Sequence, residues 1–226
     1  ENDLERPYPE TLASDYIRFY RNGNRGIFED KYFARRRMAY NFALAEAIEG
    51  KGRFTDRILD GVMLICDEYD WVIPAHIGHN YALNPWFRGE HPYIDLFAAE
   101  TGSTLANIYM LARPALDGAA PMACERLLGE VHKRIIRAFL ENDMYWMGFK
   151  GNPVNNWNPW ILSNVLLACA LTETETLVRE RVVNRVVMSI DNFINGYHSD
   201  GGCDEGPSYW TAAGASLFDA LELLYD

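Results

Sequence analysis

From Phe54 to Tyr225 the chain alternates between two kinds of helical segment, and that alternation limits the folds open to it more than any other feature. One kind carries a single apolar stripe. Phe54, Ile58, Leu59, Val62, Met63, Ile65 and Cys66 make such a segment. So do Leu127, Leu128, Val131, Ile135, Ile136, Phe139 and Leu140, opposite a face with Glu130, Lys133, Arg134 and Arg137. A third runs from Thr176 to Ile194, with Val182, Val183, Val186, Val187 and Ile190 on one stripe. The other kind is apolar nearly all round and covers about Ile94 to Leu111, about Trp160 to Leu171, and Tyr209 to Tyr225. A striped helix keeps a face for water, whereas a helix apolar on every side needs neighbours on every side. Alternating the two predicts two layers of antiparallel helix pairs with the apolar helices inside, an incomplete (α/α) toroid. No strand alternation or hairpin signal competes over any useful length, so the fold class is all-α.

Ahead of this array, Phe28, Tyr32, Phe33, Met38, Phe42, Ala45 and Ile48 recur at helical spacing, and Gly50 with Gly52 stops that helix. Residues 1–27 are polar and broken by Pro7, Pro9, Gly23 and Gly26, which predicts an arm with one brief helix around Tyr16 to Tyr20. The expected organisation is therefore an arm over 1–27 and a toroid domain over 28–226. With 226 residues, 49% of them hydrophobic, the chain has enough apolar surface for a core.

Charge narrows the partners. Lys and Arg total 21 against 32 Asp and Glu, and the formal net charge of -11 argues against a general nucleic-acid or anionic-membrane surface. The longest apolar run, Val165 to Leu171, is too short to span a bilayer, and the charged Glu1-Asn2-Asp3 start has no apolar signal core. Cys66, Cys124, Cys169 and Cys203 lie far apart without CxxC spacing, and three fall within helical apolar patterns, so buried thiols are expected. His76 and His79 are three apart without further ligands nearby, so neither a metal site nor a cofactor is expected.

Antiparallel neighbours place every connection entering an apolar helix at one end of such an array. Those connections are long and rich in polar and aromatic residues. They are Tyr69 to Tyr93, with Trp71, His76, His79, Asn80, Trp86, Arg88 and His91; Asn142 to Trp160, with Trp146, Lys150, Asn155, Asn156, Trp157 and Asn158; and Gly196 to Trp210. The connections at the other end are plain, and function concentrated in loops at one rim of a scaffold marks a site. In Asp200-Gly201-Gly202-Cys203-Asp204-Glu205-Gly206-Pro207-Ser208-Tyr209-Trp210, the glycines and carboxylates are accounted for by a turn and a helix start. Helix entry does not require Tyr209 and Trp210. Asparagines also cap helices, but the three amides and two indoles of Asn155 to Trp160 exceed what a cap needs and suit sugar hydroxyls and ring faces.

At these residues the chain resembles the heparinase II/III-like polysaccharide lyases, whose members join an α/α toroid to a C-terminal β-sandwich. Trp71-Val72-Ile73-Pro74-Ala75-His76 is similar to the family's tryptophan-proline-alanine-histidine loop, Asn155-Asn156-Trp157 to its asparagine-tryptophan loop, and Asp200-Gly201-Gly202 with Glu205 to Trp210 to its acidic, tyrosine-bearing loop. The resemblance implies β-elimination on a uronic-acid-containing polysaccharide or oligosaccharide. Such chemistry needs the carboxylate neutralised, an enolate-like state stabilised, and a base and an acid in position.

By motif position, Tyr209 is the base or acid, Asn155 or Asn156 holds the uronate carboxylate, His76 assists, and Glu205 orients the site. Trp71 and Trp157 are stacking partners, with His79, Trp86, Arg88 and Trp210 as further substrate contacts. Where some members carry a histidine, Trp157 follows Asn156 here. The family's β-sandwich is expected beyond Asp226 in the full-length protein, and the family's location is periplasmic or secreted. A net charge of -11 opposes a highly sulfated polyanion, so a less charged uronate polymer fits better. Arg88, Lys150 or the Arg35-Arg36-Arg37 cluster could supply local positive charge, although three consecutive arginines read first as a solvated face. Two alternatives remain open: a glycoside hydrolase using Asp200, Asp204 and Glu205, and a non-catalytic carbohydrate-binding domain.

Overall fold

The computed structural model describes residues 4–77, 93–203 and 205–225. Among them there are eight α-helices and no strand, as the sequence predicts for an all-α chain. They are α1 (Ala13–Asn22), α2 (Gly26–Glu49), α3 (Thr55–Cys66) and α4 (Leu96–Ala119). Next comes α5, which runs Pro121–Val131, then through a π-helical stretch His132–Arg137, then Ala138–Glu141. The last three are α6 (Trp157–Thr172), α7 (Thr176–Gly196) and α8 (Pro207–Tyr225). Two helices outrun the pattern that announced them. α4 continues past Leu111 and through Pro114, and α5 starts at Pro121, where a proline at the first helical position costs no hydrogen bond.

The chain divides into two compact units, one of Glu1–Glu90 with Thr104–Glu130, the other of His91–Ser103 with Val131–Asp226. In the first unit α2 packs against α3. Gly61 permits that approach, since a Cβ there would sit 2.8 Å from the Ala39 Cβ and 2.5 Å from the Tyr8 Oη. The turn between the helices is organised by the buried Glu46 carboxylate, which accepts the backbone N–H groups of Gly52 at 2.6 Å and Phe54 at 3.0 Å. Tyr32, fully buried, donates its hydroxyl to the Trp71 carbonyl at 2.7 Å, so the segment after α3 is fastened to α2.

The arginine cluster corrects the expectation of a solvated face. Arg35 and Arg36 are buried, and both engage the Glu68 carboxylate, at 2.8 Å and 2.6 Å, while Arg37 is exposed. Adjacent helical positions differ by about 100°, so two long side chains can converge on one carboxylate while the third turns to water. Arg35 also donates to the Pro9 carbonyl, and the Arg36 guanidinium lies 3.2 Å from the Tyr32 ring centroid. These side chains join the N-terminal segment, α2 and the end of α3.

In the second unit α6 packs against α7, α8 and the π-helical stretch of α5. Ile161, Leu162, Val165 and Ala168 on α6 are fully buried, which is what its all-round apolar sequence predicts. Asn158, also fully buried, donates its side-chain amide to the carbonyls of Trp146 and Ser189 and to the Ser189 hydroxyl at 3.0–3.1 Å. Departing from its sequence, α8 buries only Ala213 and Ala220 and leaves Trp210, Phe218, Leu221 and Tyr225 exposed. It lies against α6, and its other face has no comparable partner among the described residues.

Removing Glu68 leaves two buried guanidinium groups without their carboxylate, a change that costs about 3–5 kcal/mol where a buried pair loses one member. Glu68→Ala is therefore expected to lower the denaturant midpoint strongly, and Arg37→Ala to leave it nearly unchanged, both read by urea unfolding.

Candidate functional site

The site residues of the second unit are presented by three segments, and each is held by packing behind it. The first follows α5. Trp146 and Met147 are buried in a 3₁₀ turn, Tyr145–Met147, with the Trp146 indole N–H donated to the Ile94 carbonyl at 2.9 Å and the ring stacked on Phe139. Tyr145, one residue earlier, remains half exposed and sets its ring 5.9 Å from that of Trp157. Gly148 closes this turn at φ 74°, and a Cβ there would fall 2.5 Å from Val154 Cγ1 and 2.7 Å from Asn192 Cβ. Behind the turn, the Met147 carbonyl accepts Ser189 Oγ at 3.0 Å and Asn192 Nδ2 at 3.1 Å.

Asp143 anchors the base of this segment by pairing with Lys150 Nζ and with Arg185 Nη2, both at 2.7 Å. Arg185 also donates to the carbonyls of Phe139 and Asn142, at 2.8 Å and 2.7 Å. Hydrogen bonds from Lys150 and Arg185 hold the Asp143 carboxyl below the usual carboxylate range. Lys150, expected as a source of positive charge for a ligand, thus spends that charge on Asp143.

The second segment is Asn155-Asn156-Trp157, at the start of α6. Asn155 Oδ1 accepts the Trp157 backbone N–H at 3.1 Å, which turns the amide nitrogen of Asn155 away. No described residue partners that nitrogen. Asn156 is buried, 3% exposed, and donates Nδ2 to Glu205 Oε2 at 2.9 Å. A carboxylate can only accept, so the nitrogen must be the atom facing Glu205 and the oxygen must point elsewhere. That oxygen, Asn156 Oδ1, is buried without a hydrogen-bond partner among the described residues. A small cavity of about 10 Å³ lies here, lined by Asn155, Asn156, His198, Cys203 and Glu205 among others.

The third segment leads into α8. Gly201 N–H is donated to the His198 carbonyl at 2.9 Å, Asp200 Oδ1 accepts Gly202 N–H at 2.9 Å, and Gly206 N–H reaches the Cys203 carbonyl at 2.8 Å. The glycines and Asp200 therefore shape the loop, as the sequence suggests. Trp210 is fastened back to it through its indole N–H on the Gly201 carbonyl at 3.0 Å, leaving the ring more than half exposed. Tyr209, in the first turn of α8, is 44% exposed.

The structure thus joins two of the three expected loops, since Asn156 and Glu205 touch directly. Trp146 and Asn158, which the sequence places among the rim residues, are core side chains. Trp71 and His76 belong to the first unit. Trp71 is 1% exposed and donates its indole N–H to the Ile65 carbonyl at 2.9 Å, so its ring has no face open for stacking and the expectation of a sugar contact is corrected to a packing role. His76 is half-buried at the end of a 3₁₀ turn, Pro74–His76, whose Pro74 carbonyl accepts the Tyr20 hydroxyl. His79, Asn80, Trp86, Arg88, His91 and Asp204 lie outside the described residues.

Sequence reasoning passed over Tyr145. Its phenol is held above the ordinary tyrosine range by burial; a hydrogen bond with Tyr93 works against this, while the carboxylates of Glu205 and Asp95 add to it. Met144-Tyr145-Trp146-Met147 reads as an apolar run, and only the tight turn separates the outward Tyr145 from its buried neighbours. Cys66, Cys124 and Cys169 are buried as their helical patterns predict, and burial pushes the thiols of Cys124 and Cys169 up to about 11. No described helix is long and apolar enough to cross a membrane, and no metal-holding group of His, Cys, Asp and Glu occurs among the described residues. No protein-family model matches the chain, and no curated protein matches it.

Two outcomes follow from the anchoring of the first segment. A carboxyl depressed in the folded state contributes stability above the unfolded aspartate value of about 3.9 and loses it as pH falls through the folded value. Asp143→Asn should accordingly flatten the loss of melting temperature between roughly pH 5 and pH 2, and an unchanged acid slope would remove Asp143 from that role. Gly148→Ala forces a Cβ into Val154 and Asn192 at a left-handed φ and is expected to cost about 1–3 kcal/mol in urea unfolding.

Proposed function

We propose that the chain is the helical part of a polysaccharide lyase that cleaves a uronic-acid-containing polysaccharide or oligosaccharide by β-elimination. The observation that carries this reading is the Asn156–Glu205 hydrogen bond, which joins the amide loop to the acidic, tyrosine-bearing loop across 49 residues of sequence. In this reading the helices form an incomplete (α/α) toroid, the full-length protein adds a C-terminal β-sandwich, and the protein works outside the cytoplasm, where such polymers are found.

The division of labour follows from what each group has left to offer. Asn156 Nδ2 is committed to Glu205, whereas Asn155 Nδ2 has no partner among the described residues, so Asn155 is the amide that meets the uronate carboxylate. Neutralising that carboxylate lowers the barrier to removing the proton on the adjacent carbon, because the developing enolate-like charge falls on the same oxygens. Tyr209, exposed in the first turn after the Glu205 loop, is the group to which this reading gives proton transfer. Glu205 orients Asn156, and Trp157 and Trp210 offer ring faces to sugar. The chain's net charge of -11 favours a sparsely charged uronate polymer over a sulfated one.

The test is a panel of uronate polymers followed by ultraviolet absorbance of the unsaturated uronate product and by reducing-end release. A rise in both is expected for at least one polymer. Reducing ends without new absorbance would indicate hydrolysis, and binding without either would indicate a carbohydrate-binding domain. Tyr209→Phe is expected to lower turnover by at least about 100-fold with the melting temperature nearly unchanged. A large fall in melting temperature would instead make Tyr209 a packing residue.

A further inference from the structure

The second unit holds another surface phenol whose surroundings set it apart. Tyr145 stands on a rigid turn, since the next two side chains are fully buried and the Trp146 indole is bonded to Ile94. Its ring leans on Trp157, directly after Asn156, with centroids 5.9 Å apart and planes at 45°. Its hydroxyl is hydrogen-bonded with Tyr93 and lies within the field of Glu205, the carboxylate that holds Asn156. About half of the residue is open to solvent. Rigid backing, an open edge and contact with the amide loop are what a residue serving a bound sugar requires.

We propose that Tyr145 is the proton donor to the departing sugar oxygen, an assignment that rests on the lyase reading above. In the elimination, a base takes the proton from the carbon next to the uronate carboxylate. The electrons of that C–H bond become the new carbon–carbon double bond. The bond from the neighbouring carbon to the glycosidic oxygen then breaks, and its electron pair stays on the oxygen. The Tyr145 O–H supplies the proton that this oxygen takes up, and the resulting phenolate recovers a proton from solvent. Burial disfavours the phenolate most, the hydrogen bond with Tyr93 works against this, and Glu205 and Asp95 add to it, so Tyr145 enters the step protonated. A phenol that enters the step protonated has a proton to give and none to take up. The departing oxygen, alkoxide-like and more basic than a phenolate, takes that proton downhill.

The experiment compares wild type with Tyr145→Phe on two uronates that differ only in the group carried through oxygen on the carbon β to the carboxylate, where elimination takes place: one a sugar, the other a nitrophenyl ether whose nitrophenolate departs without needing a proton. The phenylalanine ring keeps the contact with Trp157, and thermal unfolding checks that it does. Tyr145→Phe should lose about 100-fold or more in kcat on the sugar leaving group and less than about threefold on the nitrophenolate. Equal losses on both substrates, or no loss on either, would overturn the assignment while the lyase reading stands. A wild-type protein that eliminates neither leaving group overturns the lyase reading itself and the assignment with it.

Discussion

One buried amide underlies the arrangement of the second unit. Asn158, on the first turn of α6, has no exposed surface and spends its amide protons on the Trp146 carbonyl and on both the carbonyl and the hydroxyl of Ser189. It thereby ties the turn after α5 to α6 and to α7 with hydrogen bonds that no water can replace. A lost partner in such a place costs the full desolvation of the orphaned group, roughly 1–3 kcal/mol, far more than the net gain of an ordinary hydrogen bond. Tyr145 is displayed because Trp146, its neighbour, is fastened by this amide, and the buried Asn156 is held against Glu205 two residues before Asn158 at the same helix start. The candidate site thus rests on a polar core.

How much of this was legible in the sequence depends on the kind of information involved. The helices were written plainly, because apolar residues at helical spacing and the glycine stop at Gly50 act over a few residues only. The termini were less clear: α4 runs through Pro114 and α5 through a π-helical stretch, because tertiary packing overrides local propensity there. Burial of α8 could not be read at all, since an apolar sequence states a need for neighbours without supplying them. For the candidate site, the pairing of the amide loop with the acidic loop was anticipated, but Trp71, Trp146 and Asn158 show the limit. Residue type suits sugar binding and core packing equally well, and only the direction of each side chain decides.

The buried arginines of the first unit make the same point with charge. Three consecutive arginines in a helix suggest water on every side, yet Arg35 and Arg36 share one carboxylate, Glu68, far along the chain on the segment following α3. No local rule can foresee that pairing, because the compensating group is distant in sequence. Once formed, it carries a conformational constraint as well as an energy, since the same guanidinium of Arg35 also holds the Pro9 carbonyl and so tethers the N-terminal segment.

The orphaned oxygen of Asn156 has a consequence for selectivity. Glu205 captures the nitrogen and leaves a buried carbonyl oxygen that no described residue partners. A group that reaches it with an O–H or N–H completes a hydrogen bond there, whereas an ether oxygen or a carboxylate arriving there meets repulsion. Under the lyase reading proposed above, discrimination in that corner is set by the direction in which a hydrogen points, so that two ligands of equal charge and size that differ in one hydroxyl would be told apart there.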